Sequence, residues 1–450
     1  MTEATFSIEL AAHVLGAQRI GPEVEFRGCA IDTRTILPGQ LFVALRGERL
    51  DGHEYVSAAR ARGAAAALVE RVVDYELPCL LVPDVRLALG RLAAHWRNQF
   101  APQVIAVTGS NGKTTVKELV GSIARNMGPA LVTAGNLNND LGLPMTLLQL
   151  TESDRYAVLE LGANHAGEIA NLAAIATPHV GVITHCGPAH LEGFGSIEGV
   201  ARAKGELLEA LPEDGYAILN ADDRFLPLWR DLAQRRNILT FGLKGSADVH
   251  ATWRPQSPGI ALEVSLPDAK ILLESPLLGE HNVMNVLASV AAAWACNMSP
   301  EAIRSGIAQV HPVPGRLCPI KSASGALLID DSYNANPASL SAALAVLSEQ
   351  PGAHWLVLGD MAELGPESDK IHQELGSIVR ESGVNELCTL GSYSASAARA
   401  FGQGARHFDD REKLIDFLAT RLTGNDTVLV KGSRSMAMDS IVDALALEVN

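Results

Sequence analysis

Val104-Ile105-Ala106-Val107-Thr108-Gly109-Ser110-Asn111-Gly112-Lys113-Thr114-Thr115-Val116-Lys117 is the stretch from which the rest of this 450-residue chain is read. Its four leading apolar residues suit a buried strand. The run then breaks at Gly109 and Gly112, which let backbone N–H groups turn inward on an anion at the start of a helix. Lys113 is placed to reach the β- and γ-phosphates of a nucleotide, and the Thr114 hydroxyl to hold magnesium. Ser110, Asn111 and Thr115 complete the phosphate-binding candidates. The usual G-x-x-x-x-G-K-[ST] spacing would need glycine where Val107 stands, and the form here, T-G-S-N-G-K-T, is shorter. A glycine-rich turn that merely joins strand to helix is the alternative, and the Lys-Thr-Thr run argues against it.

The length suggests about three domains. A hydrophobic content of 47% with 19% charged residues excludes a disordered chain. The longest apolar stretch, Val286 to Cys296, is too short to span a bilayer. MTEATFSIEL has neither the basic nor the apolar region of a secretory signal, so a soluble, cytoplasmic protein is expected. Six cysteines without C-x-x-C spacing argue for neither disulfides nor zinc. A formal charge of −15 makes nucleic acid an unfavourable partner and leaves phosphate binding to local sites.

Outward from the loop, residues 1–84 predict a small α/β domain. In it Ile31-Asp32-Thr33-Arg34 and Leu41 to Gly47 read as strands ending in arginines. Arg34 and Arg46 fit a bidentate phosphate clamp, although taken alone each fits a surface charge or loop anchor at least as well. Residues 85–314 alternate strand and helix as a parallel sheet requires, with sites at the strand C-termini. Tyr156 to Gly162 is apolar on both faces except at Glu160, a carboxylate that needs a partner if buried. His190 lies in the loop after the next strand, so Thr114, Glu160 and His190 follow successive strands as candidate metal contacts. With Ser196 as cap, Ile197, Val200, Ala201, Leu207, Leu208 and Leu211 mark one apolar helix face that also carries Lys204. Lys204 either works there or snorkels past the core edge. Asn138 and Asn139 sit in a polar loop that is turn chemistry or faces a substrate. Asn282, at the start of a long alanine-rich helix, suits an adenine edge or capping alone. Val313-Pro314-Gly315-Arg316 reads as the hinge into a third domain, residues 315–450. This domain alternates strands and helices and has no second phosphate loop. Its polar strand-end loops include Asp330 to Pro337 and Lys431 to Ser435.

In this order, GNLNNDLGLP, ELGANHAGEI, AHLEGFGS, ARAKGE, GEHNVMN, PGRL, DDSYNANP, LGDMAELG and KGSRS resemble the Mur ligase family over essentially the whole chain. The short phosphate loop is that family's form. The resemblance implies an α/β fold of three domains: an N-terminal domain for a uridine nucleotide, a central ATPase domain with a parallel sheet, and a C-terminal Rossmann-like domain. It implies ATP-dependent ligation of D-alanyl-D-alanine to UDP-N-acetylmuramoyl-tripeptide through an acyl phosphate. A monomer with no nucleic-acid partner and no membrane span is expected. Lys113 and Thr114 would then serve the ATP phosphates and a first magnesium ion shared with Glu160. His190 and Lys204, the latter carbamylated, would lie at a second. Asn282 would meet adenine, Asp331 the ribose and Arg316 the γ-phosphate. Arg34 would face the nucleotide-sugar, and Thr33, Arg46, Asn138, Asn139, Asn334, Asn336, Ser433 and Arg434 would be substrate residues. A P-loop kinase lacks an evident base here, and a nucleotide switch leaves Glu160, His190 and Lys204 without a purpose. A folate polyglutamate ligase shares the scaffold but should lack DDSYNANP.

Overall fold

Val104 to Val107 are fully buried in the strand Gln103–Thr108, which has a neighbour on each side in a six-stranded sheet. The order across that sheet is Asn237–Phe241, Tyr216–Asn220, Val180–Ile183, Gln103–Thr108, Tyr156–Glu160 and Ala130–Val132. Every pairing is parallel. The chain leaves the phosphate-loop strand toward one edge and later returns to its other flank, which makes that strand's C-terminal end the crevice where ligands bind in such sheets. Register brings Glu160 level with Val107, and Ile183 level with Thr108. The computed structural model describes residues 5–47, 50–72, 76–188, 191–256 and 259–447. Among these no helix is long and apolar enough to cross a membrane.

The described chain packs as two compact units. One comprises Met1–Cys186, Gly193–Val249 and Ala288–Gly306, and the other Gly187–Glu192, His250–Leu287 and Ile307–Asn450. In the first, a five-stranded sheet (Gln18–Ile20, Cys79–Leu81, Ala66–Val69, Leu41–Val43, Cys29–Ala30) accompanies the six-stranded one. One apolar core runs from Phe6 and Phe26 through Leu89 and Leu92 to Ala106 and Leu159. The helix Val85–Arg97, assigned by sequence to the central domain, serves both sheets. Trp96 lies 5.2 Å from the Phe6 ring and donates from Nε1 to the Leu150 carbonyl. Two expected strands are shorter than read. Cys29–Ala30 ends before Ile31, and Asp32 to Thr35 turn because the Asp32 carboxylate captures both the backbone N–H and the guanidinium of Arg34. Leu41–Val43 likewise ends before Arg46, which forms an isolated bridge with Asp51.

In the second unit, His250–Pro255, Ile260–Ser265 and Lys270–Ser275 form an antiparallel sheet. The other sheet runs Cys318–Lys321, Leu327–Asp331, Asp426–Lys431, Ala353–Gly359, Glu386–Leu390 and Ala405–Phe408, parallel except at the first strand. A separate core on each face, one around Leu340, Leu347 and Leu375 and one around Leu414, Leu418 and Ile441, makes it a doubly wound layer.

Candidate active site

Three features close the phosphate loop. A Cβ on Gly109 would come within 1.9 Å of Thr184 Oγ1, so only glycine allows the loop to lie on the neighbouring strand. That hydroxyl donates to the Asn111 carbonyl at 2.5 Å, and Ser110 N–H donates to the His185 carbonyl at 2.8 Å. Gly112, at φ 81°, is the N-cap of the helix Lys113–Arg125 and brings no side chain to it. The first-turn N–H groups therefore face outward with the positive end of the helix dipole, as an anion site requires. Lys113 Nζ reaches back to the Gly109 carbonyl at 2.8 Å, and half-buried Thr114 and Thr115 stand in the first turn.

Glu160 ends the adjacent strand with 2% exposure. Its backbone N–H donates to Thr133 Oγ1 at 3.1 Å, and its Oε1 accepts from Asn138 Nδ2 at 2.7 Å. Oε2 is buried and has no hydrogen-bond partner among the described residues. A carboxylate oxygen left so is costly unless a cation meets it. Oxygen donors such as this one and the Thr114 hydroxyl are what magnesium takes, so the residues fit the ion that the motifs imply. Thr133 is itself held from the phosphate-loop helix, because fully buried Lys117 donates to its carbonyl at 2.8 Å.

Ser196 caps the helix Ile197–Glu209 by accepting from Gly199 N–H, and the apolar face carries Lys204 inward to 4% exposure. Its ammonium lies 6.0 Å from the Phe194 ring centroid. Burial pushes its pKa down to about 7, and the charge of Lys113 adds to the shift. Lys204 is thus held in the core rather than snorkelling into solvent. His190 lies outside the described residues.

Sequence reading passed over Glu206. Its carboxylate accepts from Gly167 N–H at 2.7 Å and from Ala170 N–H at 3.0 Å. It thereby caps the helix Glu168–Ala176 from a neighbouring helix and braces the loop that follows Glu160. The E of ARAKGE had no local signal for this, since its partners lie 39 and 36 residues away. Glu206→Ala should lower stability by about 1–2 kcal/mol. Urea unfolding checks this, with faster amide exchange at Gly167 and Ala170.

In the second unit, Asp331 and Lys431 end paired strands in register and form a buried ion pair. Lys431 Nζ also donates to the Asn334 carbonyl at 3.1 Å. Burial raises the Asp331 carboxyl pKa against the pull of that ammonium. His281 nearby is pushed down to about 4 by burial, with Lys431 contributing. The Asn282 amide donates to the Leu278 carbonyl and its Oδ1 accepts from Asn285, each at 2.8 Å, so Asn285 orients it. Gly315 N–H donates to Asp330 at 2.7 Å, and the Arg316 guanidinium lies 4.1 Å from the Tyr333 ring centroid.

Several candidate substrate residues have their side chains engaged locally. Asn336 and Ser339 form a capping box on Pro337–Ser348. Ser433 Oγ accepts from Ala362 N–H at 2.7 Å, and Asn139 Oδ1 from Gly142 N–H at 2.8 Å. Asn334 Oδ1 accepts from Ala335 N–H at 2.9 Å. Arg434 reaches Asp439 at 3.1 Å and remains exposed. In the five-stranded-sheet region, Arg34 is 84% exposed and paired with Asp32, whose carboxyl the guanidinium holds down at about 2. The Thr33 carbonyl accepts from Arg62, and Arg46 is exposed.

Residues 25–97 match the Mur ligase family catalytic domain, 107–293 the Mur ligase middle domain, and 315–434 the Mur ligase glutamate ligase domain. Over 440 residues the chain is 44% identical to UDP-N-acetylmuramoyl-tripeptide–D-alanyl-D-alanine ligase of Escherichia coli (strain K12), covering 96% of each chain. It is 35% identical to the enzyme of that name from Bacillus subtilis (strain 168), over 93% of each. Among solved structures, MurF from Acinetobacter baumannii aligns with a TM-score of 0.92 at 38% identity, over 98% of this chain and 99% of that one. MurF ligase from Thermotoga maritima in complex with ADP aligns at 0.82 and 29%, over 93% and 96%. Folylpolyglutamate synthase of Mycobacterium tuberculosis, at 0.64 and 17% identity over 80% and 94%, shares the fold alone. With matches of this identity along nearly its full length, the chain belongs to the Mur ligase family.

Proposed function

We propose that the protein is an ATP-dependent ligase that joins D-alanyl-D-alanine to UDP-N-acetylmuramoyl-tripeptide, as the names of its relatives suggest. The single observation that carries the reading is the buried, unpartnered Oε2 of Glu160 beside an uncapped phosphate-loop helix. A plain anion site has no use for a buried carboxylate there. A site for a nucleotide with its cation does.

The loop N–H groups and Lys113 hold the ATP phosphates, and Thr114 with Glu160 would hold magnesium. Bound there, magnesium supplies charge neutralisation between phosphate oxygens and the incoming carboxylate. The tripeptide's terminal carboxylate oxygen attacks the γ-phosphorus, forming an O–P bond as the bond to ADP breaks. The amine of D-alanyl-D-alanine then attacks the acyl carbon, loses a proton and expels phosphate. Arg316 stabilises the transferred phosphoryl, Asp331 receives the ribose, and Asn282, oriented by Asn285, meets the adenine. Lys204, neutral above about pH 7, adds to CO₂ through its amine and loses a proton, becoming a carbamate that with His190 serves a second cation. Thr33, Arg34 and Arg46 receive the nucleotide-sugar. Asn138 contacts the peptide substrates, whereas Asn139, Asn334, Asn336 and Ser433 shape the loops around them. We place this activity in the cytoplasm, in a monomer.

The test is phosphate release with UDP-linked tripeptides carrying diaminopimelate or lysine at the third position, with and without D-alanyl-D-alanine. ADP and a UDP-linked pentapeptide should appear together only when both peptide substrates are present. Rapid ADP release with neither would replace the ligase by a plain ATPase.

A further inference from the structure

Two guanidinium groups from distant parts of the chain gather on one aromatic ring in the second unit. The Arg316 guanidinium carbon lies 4.1 Å from the Tyr333 ring centroid and that of Arg434 lies 5.7 Å from it. The ring is fixed by its backbone. Tyr333 N–H donates to the Gly315 carbonyl at 3.2 Å, and Gly315 N–H in turn donates to buried Asp330. A Cβ on Gly315 would come within 2.9 Å of Tyr333 Cβ, so turn and ring are built against each other. Asp330 is anchored by Ser332, whose N–H and hydroxyl both donate to it.

We propose that Tyr333 is a positioning residue whose ring is a shared platform holding Arg316 and Arg434 as one anion-gripping pair, and that the anion is a phosphoryl group. Two guanidinium groups repel each other. The negative face of a tyrosine ring offsets part of that repulsion and fixes the planes of both forks. Asp439 balances the charge of Arg434 from the solvent side. Asp439 takes one nitrogen of the Arg434 fork and Asp331 feels the charge of Arg316; the donors these leave belong to two planar forks, which suit an anion with several charged oxygens better than a single carboxylate. Because the ring face does the work, the tyrosine hydroxyl is dispensable. The identity of the anion rests on the ligase reading above; the platform does not.

The experiment compares wild type with Tyr333→Phe, Tyr333→Leu and Tyr333 replaced by pentafluorophenylalanine, a ring of similar shape with the opposite quadrupole. Steady-state ligation is followed together with binding of a non-hydrolysable ATP analogue. Tyr333→Phe should stay within about 2-fold of wild type in kcat/KM for ATP, while the leucine and fluorinated variants lose about 10-fold. KM for the peptide substrates should be unchanged. Arg434→Met should cost less in the Tyr333→Leu background than in wild type. If phenylalanine falls as far as leucine, if the fluorinated ring works as well as phenylalanine, or if the two costs simply multiply, the platform is overturned. If the leucine variant fails to fold, the fluorinated ring still decides. Loss confined to peptide KM assigns the pair to a substrate carboxylate and overturns the phosphoryl assignment. If wild type does not ligate the peptides at all, the ligase reading fails, and analogue binding still reports on the platform.

Discussion

Lys204→Ala should lose about 10²-fold or more in ligation, and short-chain carboxylic acids should restore part of it by supplying an anion in the vacated space. The argument begins with burial. At 4% exposure the ammonium is desolvated, and its pKa falls from 10.5 to about 7. A neutral amine is the form that adds to CO₂, and the product exchanges a cation within the field of the phosphate-loop Lys113 for an anion. With ¹³CO₂, a carbamate resonance should grow as pH rises from about 6 to 8, through the value at which the amine loses its proton, and should be missing from Lys204→Ala. Wild-type turnover in that variant, or no such resonance in the magnesium-loaded protein, would sink the carbamate. The same shift has a stability signature in CO₂-free buffer. Between about 7 and 10.5 the folded protein binds fewer protons at this site than the unfolded chain, so stability rises with pH across that window. Lys204→Met should remove that slope, its stability advantage over wild type being largest at and below pH 7.

Lys431→Met should destabilise the second unit by about 3–5 kcal/mol at pH 7, because it leaves the Asp331 carboxylate buried without its cation. Asp331 is 7% exposed, and Lys431 is its buried ion-pair partner. The Asn334 carbonyl loses a donor as well. The pH dependence separates this from simple loss of packing. Burial already raises the Asp331 pKa in the folded state, and losing Lys431 raises it further. An acid whose folded pKa lies above its unfolded one makes stability fall as pH rises between the two. The variant should therefore recover part of its deficit on acidification, and the double variant Lys431→Met/Asp331→Asn should recover part of it at pH 7. Urea unfolding at pH 7 and 5 decides the matter. An equal deficit at both pH values, unrelieved by Asp331→Asn, would mean that the lysine acts through packing alone.

What the sequence determined by itself lies within a turn or two of chain. Val104 to Lys117 carries strand, anion turn and helix start in fourteen consecutive residues, and each depends on its neighbours in the chain. Ser196 as a cap and Lys204 on an apolar face follow from helical period, and both are found so. The strand ends that carry Glu160 and Asp331 were legible because apolar runs bounded by polar loops mark a parallel sheet. Local hydrogen-bond competition was harder to see. Asp32 claims Arg34 and shortens a strand, and Asn336 serves as a helix cap. The pairings around the candidate residues were not legible at all. Asn138 takes one Glu160 oxygen from 22 residues away, Glu206 caps a helix 36 to 39 residues away, and Lys431 neutralises Asp331 across 100 residues. Sequence period says which face a side chain takes, but strand order and register decide what meets it there. Only the tertiary structure brings those partners within hydrogen-bonding reach.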